Sequence, residues 1–231
     1  MSKVYLIPSF LHESSIHVLP AYILNAIAEC KVLFVENERS ARRYLKQLSR
    51  DIIIDEYEWF TIGKAEENVV QQFKQKIKEG KTIGIISEAG CPGVADPGQL
   101  LVATAQEFNI EIIPLVGPSS ILLALMASGM NGQQFTFLGY LPIDNQQRIK
   151  KIKELEATSA KNNCTQIFIE TPYRNNQLFE SLLKTCHPQT KICVAANITG
   201  PDEYIKTKTV NQWKKQSIDL HKKPVIFLLI R

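Results

Sequence analysis

The feature that most constrains the fold is the alternation of short apolar runs with segments of helical periodicity. A strand followed by a helix and another strand builds a parallel sheet, because the helix returns the chain to the edge where the first strand began. Parallel sheets are covered by helices on both faces, so their strands are continuously apolar. We predict this arrangement for the first half of the chain. The predicted strands are Val4–Ile7, Val32–Val35, Ile52–Ile54, Thr82–Ile86 and Ile110–Val116, and the predicted helices are Pro20–Cys30, Ser40–Leu48 with Ser40 as its N-cap, Glu66–Glu79, Gln99–Phe108 and Ile121–Ser128.

A glycine-containing break at Gly129–Gly132 marks the predicted junction between two α/β domains. We place the N-terminal domain at residues 1–130 and the C-terminal domain at residues 131–231. In the second domain we expect Tyr204–Thr209 to pair antiparallel with a neighbour, which makes that sheet mixed. The remaining predicted strands are Phe135–Leu138, Gln166–Glu170, Lys191–Asn197 and Pro224–Ile230, and the predicted helices are Asn145–Ala160, Gln177–Thr185 and Val210–Gln216.

Composition limits the classes of function. The chain has 231 residues and a net charge of +4, which permits an anionic partner without requiring one. The five cysteines include no CxxC pair, so we expect neither a disulfide framework nor a metal site. We find no signal-peptide or membrane-span pattern and expect a cytoplasmic protein. One basic group falls on a single predicted helix and its end, as either a solvated or an anion-binding face: Arg39, Arg42, Arg43, Lys46 and Arg50.

The loop Ser87–Gly98 is the strongest functional signal, because it follows a predicted strand and is poor in side chains. Ligands of α/β proteins bind outside the carboxyl ends of the strands, and glycine lets a ligand approach the main chain closely. The first strand ends in Ile7–Phe10 without a G-x-G-x-x-G pattern, and the chain has no G-x-x-x-x-G-K-[ST] pattern. We therefore expect a small molecule held by main-chain groups, and neither a dinucleotide nor a triphosphate.

A second signal is Gly117–Ser120, which ends a predicted strand and begins a helix. Its serine hydroxyls and the free N–H groups of the helix either cap the helix or bind a carboxylate. The next strand along the chain after the Ser87–Gly98 loop leads into this motif, so both loops are expected at the same edge of the sheet.

At four places the chain resembles the tetrapyrrole methylase superfamily, the class III S-adenosylmethionine-dependent methyltransferases. The resemblance rests on Ser87–Gly98, Gly117–Ser120, Gly139–Pro142 and Glu170–Arg174, in the family's order and spacing, and it covers nearly the whole chain. It is greatest to the branch that methylates a cytidine ribose 2′-oxygen in small-subunit ribosomal RNA. It implies two α/β domains, S-adenosylmethionine in the cleft between them, a homodimer, and ribosomal RNA or the small ribosomal subunit as partner.

The resemblance also implies roles for particular residues. The family holds its cofactor largely by main chain, which agrees with the bare loop. The implied cofactor-binding residues are Pro8, Ala89, Gly90, Cys91, Val94, Ala95, Asp96, Ser119 and Ser120, followed by Leu138, Gly139, Thr171, Ala196, Asn197 and Pro224.

Methyl transfer to a ribose hydroxyl is helped by a base that takes the proton. Glu36 and Glu170 are the candidates, because each is predicted at the carboxyl end of a strand; the alternative is that each carboxylate pairs with Arg39 or Arg174 for structure. Guanidinium groups bind phosphates by paired hydrogen bonds. The candidate substrate-binding residues are Arg39, Arg42, Arg43 and Arg174.

Two alternatives to an RNA methyltransferase remain open. The first is a methylase of a tetrapyrrole or another small molecule. The second is a cofactor-binding protein without turnover, because the RNA-methylating branch carries R-E-L-T-K where this chain has Ala195–Gly200. We interpret Cys91 as a packing residue, since a nucleophilic cysteine needs a partner base.

Overall fold

A computed structural model describes residues 2–63 and 66–231 of the chain. Its backbone contacts group into two compact units, Met1–Ser119 and Ser120–Arg231. The first unit contains the strands β1 (Lys3–Ile7), β2 (Val32–Val35), β3 (Glu58–Thr61), β4 (Ile83–Ile86) and β5 (Glu111–Pro114), and the helices α1 (Ile23–Glu29), α2 (Glu38–Leu48), α3 (Glu66–Lys78) and α4 (Gln99–Glu107), with 3₁₀ turns at Ile16–Val18 and Ile54–Glu56.

The strands of the first unit form a parallel sheet in the order β3-β2-β4-β1-β5. Strand β2 shows why its sequence is apolar throughout. Val32 and Phe34 pack in the core with α3 and α4, whereas Leu33 and Val35 pack in the core with α1 and α2. Each such side chain contributes about 1.5–3 kcal/mol when fully buried. The predicted parallel sheet with helices on both faces is confirmed.

The predicted third strand, Ile52–Ile54, is wrong. Ile53 is 60% exposed and Ile54 begins a 3₁₀ turn. The strand that joins the sheet is β3, where Phe60 lies opposite Phe34 of β2 and stacks on it with ring centroids 4.9 Å apart. Aromatic packing against the neighbouring strand therefore outweighs the β-branched run at Ile52–Ile54.

The cap of α2 also differs from the prediction. The side chain of Asn37 accepts hydrogen bonds from the backbone N–H groups of Arg39 and Ser40, so the helix begins at Glu38 and Asn37 is its N-cap. Ser40 lies inside the first turn, and its hydroxyl donates to the Asn37 carbonyl. Asn and Ser are similarly good caps, so local preference does not distinguish between the two positions.

The second unit contains the helices α5 (Ser120–Ser128), α6 (Asn145–Asn162), α7 (Asn175–Thr185) and α8 (Val210–Trp213), and the strands β6 (Phe135–Tyr140), β7 (Thr165–Ile169), β8 (Lys191–Ala196), β9 (Tyr204–Thr209) and β10 (Val225–Ile230). Its sheet has the order β6-β7-β10-β8-β9. Strands β6 and β7 are parallel, whereas β10 is antiparallel to both neighbours and β8 is antiparallel to β9. The predicted mixed sheet is confirmed.

The division between the units falls before α5, whereas the sequence places the domain junction after it. Helix α5 packs against β9 and β10 and therefore groups with the second unit. That the two domains meet at residue 130 stays a prediction. Within the described residues, no helix is both long enough and apolar enough to cross a membrane.

Candidate functional site

The carboxyl ends of β1 and β4 are joined by main-chain hydrogen bonds. The Ser9 N–H donates to the Gly90 carbonyl at 2.8 Å, and the Gly90 N–H donates to the Ser9 carbonyl at 3.2 Å. The buried hydroxyl of Ser87 also donates to the Gly90 carbonyl, at 2.7 Å. These bonds hold the predicted binding loop at the edge of the sheet where ligands bind in parallel α/β folds.

Positive φ angles shape this loop. Gly90, Gly93 and Gly98 have φ values of 82°, 75° and 114°, a region that side chains rarely enter. Ala95 also has a positive φ, of 63°, and its side chain is only a methyl group. A Cβ on Gly93 would meet nothing within 4 Å, so the main chain is open at this point. Ala89, Val94 and Ala95 are exposed on the same loop.

Gly117 brings the end of β5 against the end of β1. A Cβ added to Gly117 would lie 2.2 Å from the Pro8 Cβ, so this close approach requires glycine. The Cys91 thiol lies beside this contact and donates to the Pro118 carbonyl at 3.5 Å. Burial, with a smaller effect of the Asp96 charge, raises the pKa of Cys91. A protonated thiol in a small-residue loop fits the interpretation of Cys91 as a packing residue.

Three acidic residues lie near one another at this edge of the sheet. The Glu88 N–H donates to Glu36 Oε2 at 3.3 Å, immediately after β2. Burial raises the pKa of Glu36; the hydrogen bond from the Glu88 N–H opposes this effect and the Glu88 charge adds to it. Burial and then the charges of Glu36 and Glu88 raise the pKa of Asp96 from 3.8 to about 7. Carboxylates whose pKa values move toward neutrality are suited to accepting a proton from a substrate.

A cavity of about 190 Å³ lies beside Glu36, between the segment after β1 and the first turns of α2. The sequence did not single out this cavity, although Phe10 and Glu13 lie in the segment that departs from the RNA-methylating branch. Tyr44, which also lines it, donates to the Pro8 carbonyl at 2.7 Å and so fixes α2 against that segment. The polar and aromatic residues of its wall include Ser9, Phe10, Glu13, Glu36, Ser40 and Arg43.

The arginines of α2 divide into two kinds. The Arg42 guanidinium pairs with two carboxylates, Glu38 at 2.8 Å and Asp55 at 3.4 Å, and lies over the Trp59 ring. Among the described residues, Arg39 and Arg43 have no carboxylate partner, and both side chains are exposed. Glu36 therefore does not pair with Arg39. The geometry leaves Arg39 and Arg43 free for an anion and engages Arg42 within the fold.

Glu170 follows β7 in the second unit, and its carboxylate is enclosed by hydrogen bonds. Glu170 Oε1 accepts from the Thr171 N–H at 2.7 Å and from Arg174 Nη2 at 2.7 Å and Nε at 3.0 Å. The Glu170 side chain is 1% exposed. This is the structural pairing with Arg174 that was the alternative to a catalytic role, and it engages Oε1 with a cation. A catalytic role for Glu170 stays a prediction.

The other candidates of the second unit lie at strand ends. Gly139 has a φ of 67° within β6, where the register with β7 shifts. Asn197, with a φ of 50°, follows Ala196 at the end of β8 and donates its N–H to the Pro224 carbonyl at 3.0 Å. Ser120 begins α5, and Ser119 ends the first unit. Leu138 and Thr171 are half-buried. The cofactor roles of these residues stay predictions.

The chain is similar to curated and solved methyltransferases. Ribosomal RNA small subunit methyltransferase I of Buchnera aphidicola subsp. Schizaphis graminum is 34% identical over 158 residues, 67% of this chain and 54% of that protein. The protein of the same name from Mesorhizobium japonicum is 29% identical over 187 residues, 81% of this chain and 61% of that protein. The chain thus spans 54% and 61% of the length of these two relatives.

Two solved structures share the fold. The methyltransferase CobJ has a TM-score of 0.64 at 16% identity, over 100% of this chain and 93% of that one. Uroporphyrin-III C-methyltransferase from Thermus thermophilus, complexed with S-adenyl homocysteine, has a TM-score of 0.56 at 15% identity, over 99% of this chain and 97% of that one. The family model of the tetrapyrrole (corrin/porphyrin) methylases matches residues 19–213. This match takes in the glycine-rich loop, the Gly117–Ser120 turn and every strand of the two sheets except β1 and β10, and the chain belongs to the tetrapyrrole methylase family.

Proposed function

We propose that the protein is an S-adenosylmethionine-dependent methyltransferase that methylates a ribose 2′-oxygen of small-subunit ribosomal RNA. The observation that carries the proposal is that an open main-chain loop, the half-buried Glu36 carboxylate and two arginines without a carboxylate partner in the described part of the chain lie at one edge of the first sheet. Curated relatives that carry the name of a small-subunit ribosomal RNA methyltransferase support the choice of acceptor.

The loop residues fit a cofactor held by main-chain groups. Gly93 leaves open space where a side chain would stand, and Gly90 and Gly98 adopt φ values that keep the loop bare. When bound, S-adenosylmethionine supplies an electrophilic methyl group with a neutral leaving group. The chain's own part is then to align the acceptor, which is the main source of rate in such a displacement. We assign this binding to Pro8, Ala89, Gly90, Cys91, Val94, Ala95, Asp96 and Ser119 of the first unit, with Ser120, Leu138, Gly139, Thr171, Ala196, Asn197 and Pro224 of the second.

Glu36 is our preferred proton acceptor for the ribose hydroxyl. Its Oε2 accepts from the Glu88 N–H, which orients the carboxylate and leaves the second oxygen for a substrate. Glu170 is the weaker candidate, because its side chain is buried and its carboxylate already pairs with the Arg174 guanidinium. We expect Arg39 and Arg43 to bind phosphates, because neither has a carboxylate partner within the described residues and both are exposed. Arg174 serves as the partner of Glu170.

A second candidate function is cofactor binding without turnover. It is favoured by the segment Ala195–Gly200, where Ala195 and Ala196 are buried and supply no charged group. A tetrapyrrole acceptor is less well supported, since the cavity beside Glu36 has a volume of about 190 Å³, below the ~300–1,000 Å³ of sites for drug-sized ligands. We also infer a homodimer from the family resemblance, which sedimentation of the purified protein tests, and a cytoplasmic location, which fractionation of cells tests.

The test of the function is methyl transfer from labelled S-adenosylmethionine to small ribosomal subunits, with mass spectrometry of the RNA from cells with and without the gene. We expect one ribose methylation to depend on the gene and on the purified protein. We expect Glu36→Gln to lower kcat by about 10²–10⁴-fold, the usual contribution of a general base, with little change in affinity for S-adenosylhomocysteine. Glu107→Gln, at the exposed end of α4, is the matched control. Cofactor binding without a methylated ribose would favour the non-catalytic alternative.

A further inference from the structure

The cavity beside Glu36 has walls of two kinds. Phe10 packs edge-to-face on Tyr44 with ring centroids 5.7 Å apart, and both residues line the cavity. The ends of β2 and β4 contribute Val35 and Ile86, which are apolar and buried. Polar groups stand among these apolar ones, with carboxylates on Glu13, Glu36 and Glu88, an amide on Gln47 and a guanidinium on Arg43.

A flat heterocycle with polar edges would fit this cavity, because its faces can contact the apolar and aromatic side chains and its edges can bond to the polar ones. Enzymes that extrude a nucleotide from an RNA or DNA strand hold its base by stacking on aromatic and apolar side chains and by hydrogen bonds to the base edge. The volume of about 190 Å³ suits one such ring better than a macrocycle. The cavity therefore has both the chemistry and the size of a site for a single nucleobase.

The basic face of α2 leads to this cavity. Arg39, Arg43 and Lys46 recur at intervals of four and three residues and are exposed, so they form one stripe along the helix. Arg43 belongs to the stripe and also lines the cavity. A phosphate backbone that follows the stripe would bring its bases to the mouth of the cavity, because phosphate contacts set the position and register of the strand.

We propose that this cavity, bounded by Phe10, Glu36, Ser40, Arg43 and Gln47, receives the extruded base of the nucleotide that is methylated. The proposal rests on the proposed function and adds to it a site for the base. Glu36 then stands at the junction between the base and its ribose, whose hydroxyl loses the proton. The contact between the base and the cavity offsets the few kcal/mol that unstacking a base costs, as pockets for extruded bases do in general.

The experiment fills the cavity and removes the base in a double-mutant cycle. Gln47→Phe is the filling variant, because Gln47 lines the cavity from an exposed position on α2 and its replacement leaves the core intact. Gln72→Phe is the matched control on α3, also exposed and outside the cavity. Small subunits are reconstituted with RNA that carries either the normal base or an abasic ribose at the methylated position, and kcat/KM is measured for both.

On the normal RNA we expect Gln47→Phe to lower kcat/KM by at least about tenfold relative to Gln72→Phe. The added ring excludes the base, so the contact between the base and the aromatic wall is lost. On the abasic RNA we expect the two variants to agree within about twofold, since a filled cavity then excludes nothing. Both variants should bind S-adenosylhomocysteine like the unmodified protein. Ser40→Phe, which fills the cavity from the first turn of α2, should repeat the pattern.

An equal loss on normal and abasic RNA would overturn the base site while leaving the methyltransferase activity in place. No ribose methylation by the unmodified protein would instead overturn the proposed function and the base site with it. The two failures are therefore distinguishable in one series of measurements.

Discussion

Replacing Gly117 by alanine tests how the ends of β1 and β5 are joined. A Cβ at this position would lie 2.2 Å from Pro8 Cβ and 2.3 Å from Pro8 Cγ, whereas carbon atoms pack at about 3.5–4.0 Å. The proline ring has no rotamer by which to move away, and its carbonyl is held by the Tyr44 hydroxyl at 2.7 Å. The main chain of one of the two segments must therefore shift.

Overpacking of this kind costs typically about 1–3 kcal/mol, and we expect about 2–3 kcal/mol because both contacts are with a fixed ring. In a chain of this size each kcal/mol corresponds to a Tm change of about 2–4 °C, which gives a decrease of about 4–12 °C. The same shift displaces the turn before Ser119, so the affinity for S-adenosylhomocysteine should fall as well.

Calorimetry measures the Tm, and titration calorimetry measures the affinity. Trp59 lies on β3 in the first unit and Trp213 lies on α8 in the second, so tryptophan fluorescence during urea unfolding reports on both units and gives the unfolding free energy. Gly132→Ala is the control, because a Cβ there meets nothing within 4 Å and it should change the unfolding free energy by less than about 0.5 kcal/mol. A Gly117→Ala protein with the Tm and the affinity of the control would show that the main chains at Gly117 and Pro8 are not held in close contact.

Three further substitutions have defined outcomes. Glu170→Gln should lower the unfolding free energy by about 1–3 kcal/mol, because a neutral amide replaces the buried carboxylate that pairs with the Arg174 guanidinium. An Arg174→Gln background should remove most of this loss, as urea unfolding measures. The pKa of Asp96, raised by burial and neighbouring carboxylates from 3.8 to about 7, means that its contribution to stability is present below pH 3.8 and is lost as the pH rises to about 7. Asp96→Asn should flatten that slope, and an unchanged slope would contradict the assignment. Arg43→Ala should reduce the salt slope of RNA binding by about 0.7–0.9, whereas Arg42→Ala should change it less, since two carboxylates already engage Arg42.

The sequence predicts most of the architecture because most strands are apolar and buried, as β2 and β4 are, or follow a helix of clear periodicity, as β5 does. It fails at β3, where Glu58–Thr61 is polar at both ends and joins the sheet through Phe60. That contact is between strands distant in sequence, so no local pattern reports it. The more hydrophobic run Ile52–Ile54 competes locally and has no partner strand in the sheet.

The candidate site is also predictable only in part. The glycine loop is visible in sequence because its positive φ angles demand particular residues at Gly90, Gly93 and Gly98. The cavity beside Glu36 is not, because its wall combines three segments that come together through the sheet. The engagement of Arg42 by Asp55 likewise depends on the path of the chain after α2.

The burial of β2 and β4 on both faces limits where a protein of this kind can change during evolution. Every residue of these two strands is buried, so a new substrate cannot be accommodated there without loss of stability. Divergence is then confined to the segments beyond the strand ends, such as Ser9–Ser15 after β1, which forms one wall of the cavity. A shared scaffold thus keeps its shape while the acceptor that it serves is exchanged.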